Sequence, residues 1–268
     1  MTVFSRLVQD RRRGALWWAV GVAVSVGLIM SLWPSVRDDR SLDRVVEHLP
    51  ASMRALIGNQ ATIPLSSAAG YLQARLFSTT LPILLLVYAI GLGAGAIGTA
   101  EENGTLQLVM TAPITRKRVA CERFAASASL LLFMILVGLG TTLLIGGLVN
   151  LAQDLSMTRM IIATIAVAEI ALLHLAIAFT AGAMSGKRGT AISVASSIAV
   201  GGYVIYGVAA SAGAVQFVRV ISPWWWLLDR NLLAQPGTFL ALGLPLLLAI
   251  AIFAFGVAQF DRRDLKFP

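Results

Sequence analysis

The sequence predicts an all-α polytopic membrane protein with six transmembrane helices, a short interfacial helix after the second of them, and a broken fifth helix. Hydrophobic residues make up 57% of its 268 residues and charged residues only 13%, whereas about 25% of the residues of a soluble domain are charged. A soluble fold of this length would need more polar residues to cover its surface. Because the apolar residues also form runs long enough to cross about 30 Å of hydrocarbon, we expect the surplus apolar surface to contact lipid.

Charged residues and turn signals divide the chain into six apolar runs, which we treat as one transmembrane domain over residues 1–268. The predicted crossings lie near residues 15–33, 77–99, 120–149, 160–185, 190–218 and 238–259. As a continuous helix the fifth run would be about 43 Å long, which exceeds the hydrocarbon core. We therefore predict a break at Gly207 or in residues 211–214, followed by a segment that turns back. A tilted continuous helix is the alternative.

Basic residues in the short loops predict which side of the membrane each end of a crossing faces. Most of the 21 Lys and Arg residues flank ends on one side, including the clusters at 11–13, 116–118 and 187–188. Because short cytoplasmic loops carry an excess of basic residues, both termini are predicted to be cytoplasmic, in the plasma (inner) membrane of a bacterium. The first run could instead be a cleaved signal peptide, but residues 31–33 lack the small-x-small pattern of a cleavage site.

Tryptophans and the segment between the first two crossings mark the expected outer boundary of the membrane. Trp33 ends the first run, and three consecutive tryptophans follow Pro223, as is typical of interfacial aromatic residues. Between the first two crossings, apolar residues recur at spacings of three and four over residues 42–57. This spacing predicts a helix that lies on the membrane surface and is interrupted by Pro50.

Two glycine-rich segments resemble nucleotide-binding motifs. Residues 93–98 match G-x-G-x-x-G, which binds dinucleotides where it joins a strand to a helix. Here the pattern ends a membrane helix, so close helix packing through small residues is the preferred interpretation. Residues 182–188 are one residue short of a phosphate-binding loop and have Arg188 where Ser or Thr is required. We therefore predict no ATP site in this chain.

Metal and nucleic-acid chemistry are also not expected. The single cysteine, Cys121, excludes an internal disulfide and a cysteine-based zinc site, and His48 and His174 are the only histidines. The net charge of +8 would suggest nucleic acid only if the basic residues were gathered on one exposed face. They lie instead in short clusters between apolar runs, so no cofactor, metal or nucleic acid is predicted for this chain.

Glu169 and His174 lie inside the fourth predicted crossing, where an ionisable residue is by default a functional hypothesis. Their five-residue separation places them roughly 140° apart on a helix, so an acid–base pair or a metal site on this helix is not expected. The apolar residues of this helix favour membrane insertion by only slightly more free energy than the charge of Glu169 costs. Glu169 is therefore expected to make a structural hydrogen bond or to lie on a transport path.

Residues 100–118 combine two acids, a short apolar pattern and a basic cluster in one predicted cytoplasmic loop. The apolar spacing predicts a short helix whose apolar face rests in the membrane interface and which ends at Pro113. The apolar residues are Leu106, Val109, Met110 and Pro113. Glu101 and Glu102 precede this helix and are expected to face the cytosol, while Thr115 can cap the next helix. Such an element can transmit a partner's motion into the membrane; a solvated loop with a basic anchor is the alternative.

This loop resembles the one after the second crossing in ABC-2 permeases, a family of ABC exporters, where Glu, Gly-Thr-Leu, Pro and Arg occur in that order. The matching residues are Glu101, Glu102, Gly104, Thr105, Leu106, Pro113 and Arg116. Asn103 departs from the family pattern, which often has a charged residue or glycine there. Further similar motifs occur in order at residues 12–13, 70–72, 186–189, 222–223 and 261–265. The resemblance therefore covers essentially the whole chain.

The resemblance implies a permease subunit that moves a hydrophobic or amphipathic substrate, such as a drug, antibiotic or lipid, out of the cytoplasm by alternating access. It implies a coupling helix that docks on a separate ATP-binding subunit, present in two copies, which would hold ATP and Mg²⁺. A second, identical or homologous permease would complete twelve crossings, with the break of each fifth crossing near the outer gate. This chain would then be a transport subunit and not an enzyme.

The resemblance also assigns roles in coupling to the ATPase. Glu101 and Glu102 would meet basic groups on the ATPase, and Gly104 would allow the turn before the coupling helix. Thr105 would cap that helix, whose Leu106 belongs to the shared motif, and Arg116 would tie the loop to the end of the next helix.

Two other function classes fit the sequence less well. An ion-coupled secondary transporter would need paired intramembrane acids and repeat symmetry, and Glu169 is the one acid available. An intramembrane enzyme would need a nucleophile with a base, or a set of metal ligands, on facing helices. Neither histidine has such neighbours in the sequence pattern.

Overall fold

The computed structural model describes residues 2–37, 44, 48–56, 64–151, 155–211, 213–228, 232–233 and 239–263. Every regular element in these residues is helical, and six helices are long and apolar enough to cross a membrane. The predicted all-α polytopic fold is confirmed.

The helices follow one another along the chain with short connections. They are α1 (Val3–Ser31), α2 (Trp33–Val36), α3 (Ala51–Leu56), α4 (Ala68–Leu72), a π-helical segment (Gln73–Thr80), α5 (Leu81–Glu102), α6 (Thr105–Met110), α7 (Arg116–Leu148), α8 (Met157–Ser185), α9 (Arg188–Ser211), a 3-10 helix (Gly213–Ile221), α10 (Pro223–Leu228) and α11 (Phe239–Arg262). The second crossing consists of α4, the π-helical segment and α5. The other five crossings are α1, α7, α8, α9 and α11.

The centre of the bundle is the pair formed by α5 and α8. In their most apolar stretches, 78% of the second crossing and 61% of α8 are buried inside the protein, against 17–33% for the other four crossings. Gly93 allows this close packing, because a Cβ there would lie 2.9 Å from Ala178 Cβ and would clash with the carbonyl of Leu175. The outer crossings present many exposed apolar side chains, as expected of helices that contact lipid or another membrane subunit.

The fifth crossing breaks as the sequence predicted. Helix α9 ends at Ser211, and a 3-10 helix and α10 follow, which rules out one long tilted helix. Gly207 lies inside α9 and does not contribute to the break. The chain then returns along α9, because Ser222 Oγ donates to the Gly202 carbonyl at 2.7 Å and Trp224 Nε1 donates to the Ala199 carbonyl at 2.8 Å.

Two of the tryptophans predicted to lie at the membrane boundary are packed inside the protein instead. Trp33 is 3% exposed and contacts the ring of Tyr71 at 5.6 Å, and Trp224 is 5% exposed. Of the predicted surface helix over residues 42–57, the structure describes α3, which packs against α9. Leu42, Val45, Val46 and Ile57, on which that prediction partly rests, lie outside the described residues.

The bundle has two ends, one of which carries both the start of α1 and the end of α11. One end, which we call the terminal end, contains the N-terminal residues, α6, the α8–α9 turn and Arg263. Glu122 Oε2 accepts a hydrogen bond from the Phe4 amide at 3.3 Å, which places the start of α1 beside α7 at this end. The predicted cytoplasmic loops therefore lie together in space.

Candidate functional site

The α5–α6 loop is a tight turn that only glycine accommodates without strain. Gly104 has φ of 69° in the left-handed region and directly precedes α6. A residue with a Cβ is disfavoured there, so the turn assigned to Gly104 is present. Thr115 Oγ1 accepts from the Arg118 amide at 3.3 Å and caps α7, as predicted.

Helix α6 packs onto the protein and does not rest in the membrane interface, so that prediction is wrong. Leu106 is 1% exposed and lies in a cluster with residues of α5, α7, α8 and α11. Val109 and Met110 pack against the same cluster. The apolar spacing was identified correctly, but the helix ends at Met110 and leaves Pro113 exposed in the following turn. Helix α6 is thus seated on the ends of four crossings.

Thr105 bonds to the preceding helix and does not cap α6. Its Oγ1 donates to the Ala100 carbonyl at 3.1 Å, whereas the N-cap position of α6 is Gly104, without a side-chain hydrogen bond. One of the free carbonyls at the end of α5 is satisfied in this way. The capping role expected of Thr105 is therefore replaced by a tether between α5 and α6.

Glu101 is paired inside the protein, contrary to the expectation that it faces the cytosol. Its carboxylate forms an ion pair with Arg263, and the two side chains are only 8% and 18% exposed. Arg263 also donates to the Met184 carbonyl at 3.4 Å. Arg116 Nη1 donates to the Arg263 carbonyl at 2.6 Å, so Arg116 ties the start of α7 to the end of α11. Four helix ends meet at this ion pair.

Glu102 is exposed, as expected, but it also has a partner within the chain. Its Oε1 accepts from the Arg188 amide at 3.0 Å, at the first turn of α9. The carboxylate thereby satisfies one of the free amides of that helix. Gly98 lies against the same turn, because a Cβ there would be 2.6 Å from Arg188 N. We call Gly98, Glu101 and Glu102, with their partners Arg188 and Arg263, the closed flank of α5.

The preceding turn of α5 contacts two arginines to which the sequence analysis gave no role in a site. Arg123 Nη1 donates to the Ala96 carbonyl at 2.7 Å, and Arg123 is 8% exposed. The guanidinium of Arg11 occupies the position that a Cβ of Gly95 would take. We call Gly95 and Ala96, with Arg11 and Arg123, the open flank. Its signal in the sequence is the position of Arg123 where the apolar part of α7 begins, one turn beyond the basic cluster at 116–118.

Two cavities adjoin α5 at or near the terminal end. The first, of about 680 Å³, lies between α1, α5 and α9; its walls include Trp18, Tyr88 and Ile192. The second, of about 670 Å³, lies between α1, α5, α6 and α7 on the open flank. Arg11 lines both cavities, so it stands between them.

Glu169 and His174 do not form a joint site. His174 is fully buried, and its Nδ1 lies 2.8 Å from the Ile170 carbonyl of the preceding turn. Glu169 Oε2 is buried and has no hydrogen-bond partner among the described residues, so the structural hydrogen bond expected there is not seen for this oxygen. Within the described part of the chain no cluster of three or more His, Cys, Asp or Glu residues could hold a metal ion.

Some residues of the resemblance lie outside the described part of the chain. The last two residues of the 261–265 motif belong to this group, while Asp261 lies 3.6 Å from Lys117. The described part of that motif therefore contributes to the terminal end through Asp261 and Arg263.

Comparison with known proteins places this architecture in a family. A family model described as an ABC-2 family transporter protein matches residues 1–265. No curated protein matches the chain.

Proposed function

This chain belongs to the ABC-2 family of transporter proteins, and on that premise we propose that it is the permease subunit of an ATP-driven exporter. A separate ATP-binding subunit, present in two copies, supplies the energy, and a second permease completes the transport path. The terminal end faces the cytosol of a bacterial cell and docks on the ATP-binding subunits. Residues 182–188, the segment nearest to a phosphate-binding loop, form the end of α8 and its turn into α9, which is consistent with an ATP site on the partner.

The observation that carries this proposal is the seat of α6. Leu106 is inserted among the ends of α5, α7, α8 and α11, and the adjacent Glu101 and Glu102 are bonded to Arg263 and Arg188. A force applied to α6 would therefore reach α5, α7, α8 and α11 through this cluster, and α9 through Glu102 of the adjoining α5. This is the arrangement that a coupling helix needs, because packed helices move as rigid bodies about such contacts.

The docking surface comprises the exposed part of the α5–α7 loop. Glu102, Thr111, Ala112 and Pro113 are exposed there. Glu102 offers a carboxylate to a basic group of the ATPase. Glu101, which is buried against Arg263, acts within the permease and transmits the motion instead of contacting the ATPase.

ATP binding would close the two ATP-binding subunits, push both coupling helices and rock the permeases between inward-open and outward-open states. No covalent step takes place in this chain. The cavity between α1, α5 and α9 supports an amphipathic or hydrophobic cargo, because aromatic and aliphatic residues line most of it while Asp10, Arg11 and Arg188 add charge.

The proposal is tested by purifying the tagged full-length protein from its own host and measuring ATP hydrolysis and transport in vesicles. We expect an ATP-binding subunit to co-purify and vanadate to stop transport. Glu102→Lys and Thr111→Lys should each lower transport per ATP hydrolysed at least tenfold, since both place a cation on the docking surface. Ser156→Lys is the matched control, because Ser156 is exposed in the loop before α8, at the far end of the bundle.

Equal transport per ATP hydrolysed in Thr111→Lys and Ser156→Lys would contradict the proposed docking surface. Purification without any ATPase would contradict the exporter proposal. The second candidate is an ion-coupled secondary transporter, which is favoured by the buried Oε2 of Glu169, since no described residue bonds to it. Transport that persists in vanadate and follows an imposed proton gradient would select that candidate.

A further inference from the structure

The cavity on the open flank holds more positive charge than the chain itself neutralises. Four arginines line it against two carboxylates. One of those carboxylates, Glu122, is already engaged by Arg118 Nε at 2.9 Å and by the Phe4 amide. Arg6 is exposed to solvent, whereas Arg11 is half-buried and Arg123 is buried, and Asp10 is the one remaining acid among the residues that line the cavity. A buried or half-buried cluster of cations is costly unless counter-charges compensate it.

Arg123 is the member of this cluster with the strongest requirement for a further partner. It is more than nine-tenths buried, its Nη1 is bonded to the Ala96 carbonyl, and its Nε is buried with no hydrogen-bond partner among the described residues. Its one bond is to a neutral carbonyl, so its charge has no anionic partner among the residues that the structure describes. A buried unsatisfied donor costs free energy that an incoming acceptor recovers.

Arg11 reaches the same turn of α5 from α1, which packs against α7. Gly95 allows its guanidinium to lie against the backbone of α5, and Arg11 forms no ion pair with any described residue. The charges of Arg11 and Arg123 are close enough to interact. Two guanidiniums held in this way can bind one anion with several charge-assisted hydrogen bonds.

We propose that Arg11 and Arg123 form a binding site for a phosphate-bearing anion in the open-flank cavity. Phosphate fits because its oxygens accept from both guanidiniums at once. Val3, Leu7 and Leu108 line the same cavity, and the cavity lies at one end of the membrane helices. A membrane phospholipid headgroup is therefore one source of the phosphate, since basic pockets between helix ends bind anionic headgroups; a soluble phosphate compound is the other. The proposal does not depend on the exporter function.

Binding to the purified full-length protein in detergent tests this site. Dissociation constants are measured by native mass spectrometry for phosphatidylglycerol, with inorganic phosphate as a separate ligand and competitor. We expect Arg11→Gln and Arg123→Gln each to weaken phosphatidylglycerol binding about tenfold, the usual effect of losing one charge-assisted hydrogen bond. Arg12→Gln is the matched control, because Arg12 is the exposed neighbour on α1 with the same charge; it should change binding less than about twofold.

Gly95→Ala tests the geometry without removing a charge. The new Cβ would occupy the position of the Arg11 guanidinium, so binding should weaken severalfold although the protein keeps all its arginines. If Arg123→Gln does not fold, Arg11→Gln and Gly95→Ala still test the proposed anion site. Displacement of the lipid by millimolar inorganic phosphate would identify a soluble source, and resistance to displacement a lipid source; both support the site. Unchanged affinity in Arg11→Gln, an equal loss in Arg12→Gln, or no binding by the wild type would overturn it.

Discussion

The closed and open flanks of α5 differ in how their charged side chains are paired, although they lie on the same two turns of one helix. On the closed flank, Arg263 is paired with Glu101, and Glu102 satisfies an amide at the start of α9. On the open flank, Arg11 and Arg123 lie against backbone, and no carboxylate in the described part of the chain forms an ion pair with either. A compensated cluster holds helix ends together, whereas the uncompensated one would be stabilised by the anion that we propose to bind there. The two flanks are thus suited to transmission and to binding.

The largest effect is expected from a substitution that removes the ion pair of the closed flank. Arg263→Gln should lower the free energy of unfolding by about 3 kcal/mol, because Glu101 then stays buried without a counter-ion. Chemical denaturation in mixed micelles measures this value, and ATP-driven transport should fall with it. Lys117→Gln is the control, since its pair with Asp261 is 65% and 37% exposed, and exposed pairs contribute about 0–1 kcal/mol. Equal effects of the two substitutions would show that burial of the ion pair does not matter.

A second prediction concerns the backbone contact beside that ion pair. Gly98→Ala should destabilise the protein by about 2 kcal/mol, because its Cβ meets the backbone of Arg188, which cannot move without shifting α9. Gly91→Ala, on the same helix with no atom within 4 Å of its Cβ, should be neutral or stabilising by up to about 1 kcal/mol, since Ala favours a helix. Thermal unfolding of both variants checks this. If Gly98→Ala were as stable as Gly91→Ala, the tight contact between α5 and α9 would be wrong.

The smallest expected effect extends the comparison to the middle of the bundle. Glu169→Gln should leave stability unchanged or raise it by up to about 1 kcal/mol, because it removes a charge from a site whose Oε2 has no described partner. ATP-driven transport should stay within about twofold of wild type if Glu169 is structural. Loss of transport with normal ATP hydrolysis would instead place Glu169 on the transport path, and Glu169→Ala separates loss of charge from loss of side-chain volume.

Much of the fold could be predicted from the sequence, because the length and position of each membrane helix depend on residues that are close together in the chain. Length, hydropathy and turn residues predicted the six helices and the break after Ser211. The capping role of Thr115 followed from residue type, whereas the turn at Gly104 was implied by the family resemblance. The membrane-interface position of α6 was wrong for a physical reason: the spacing of apolar residues identifies an apolar face but not whether lipid or protein covers it.

The sequence by itself determined that this protein crosses a membrane, how many helices do so, and where the loop typical of its family lies. Only the tertiary structure decided which partners the charged residues of that loop have. Glu101 and Arg263 are 162 residues apart in sequence, and Arg11 and Arg123 meet α5 from two different helices. Helical periodicity fixes the face on which a side chain lies, whereas the partner across that face depends on which helix packs there. That choice depends on the whole bundle.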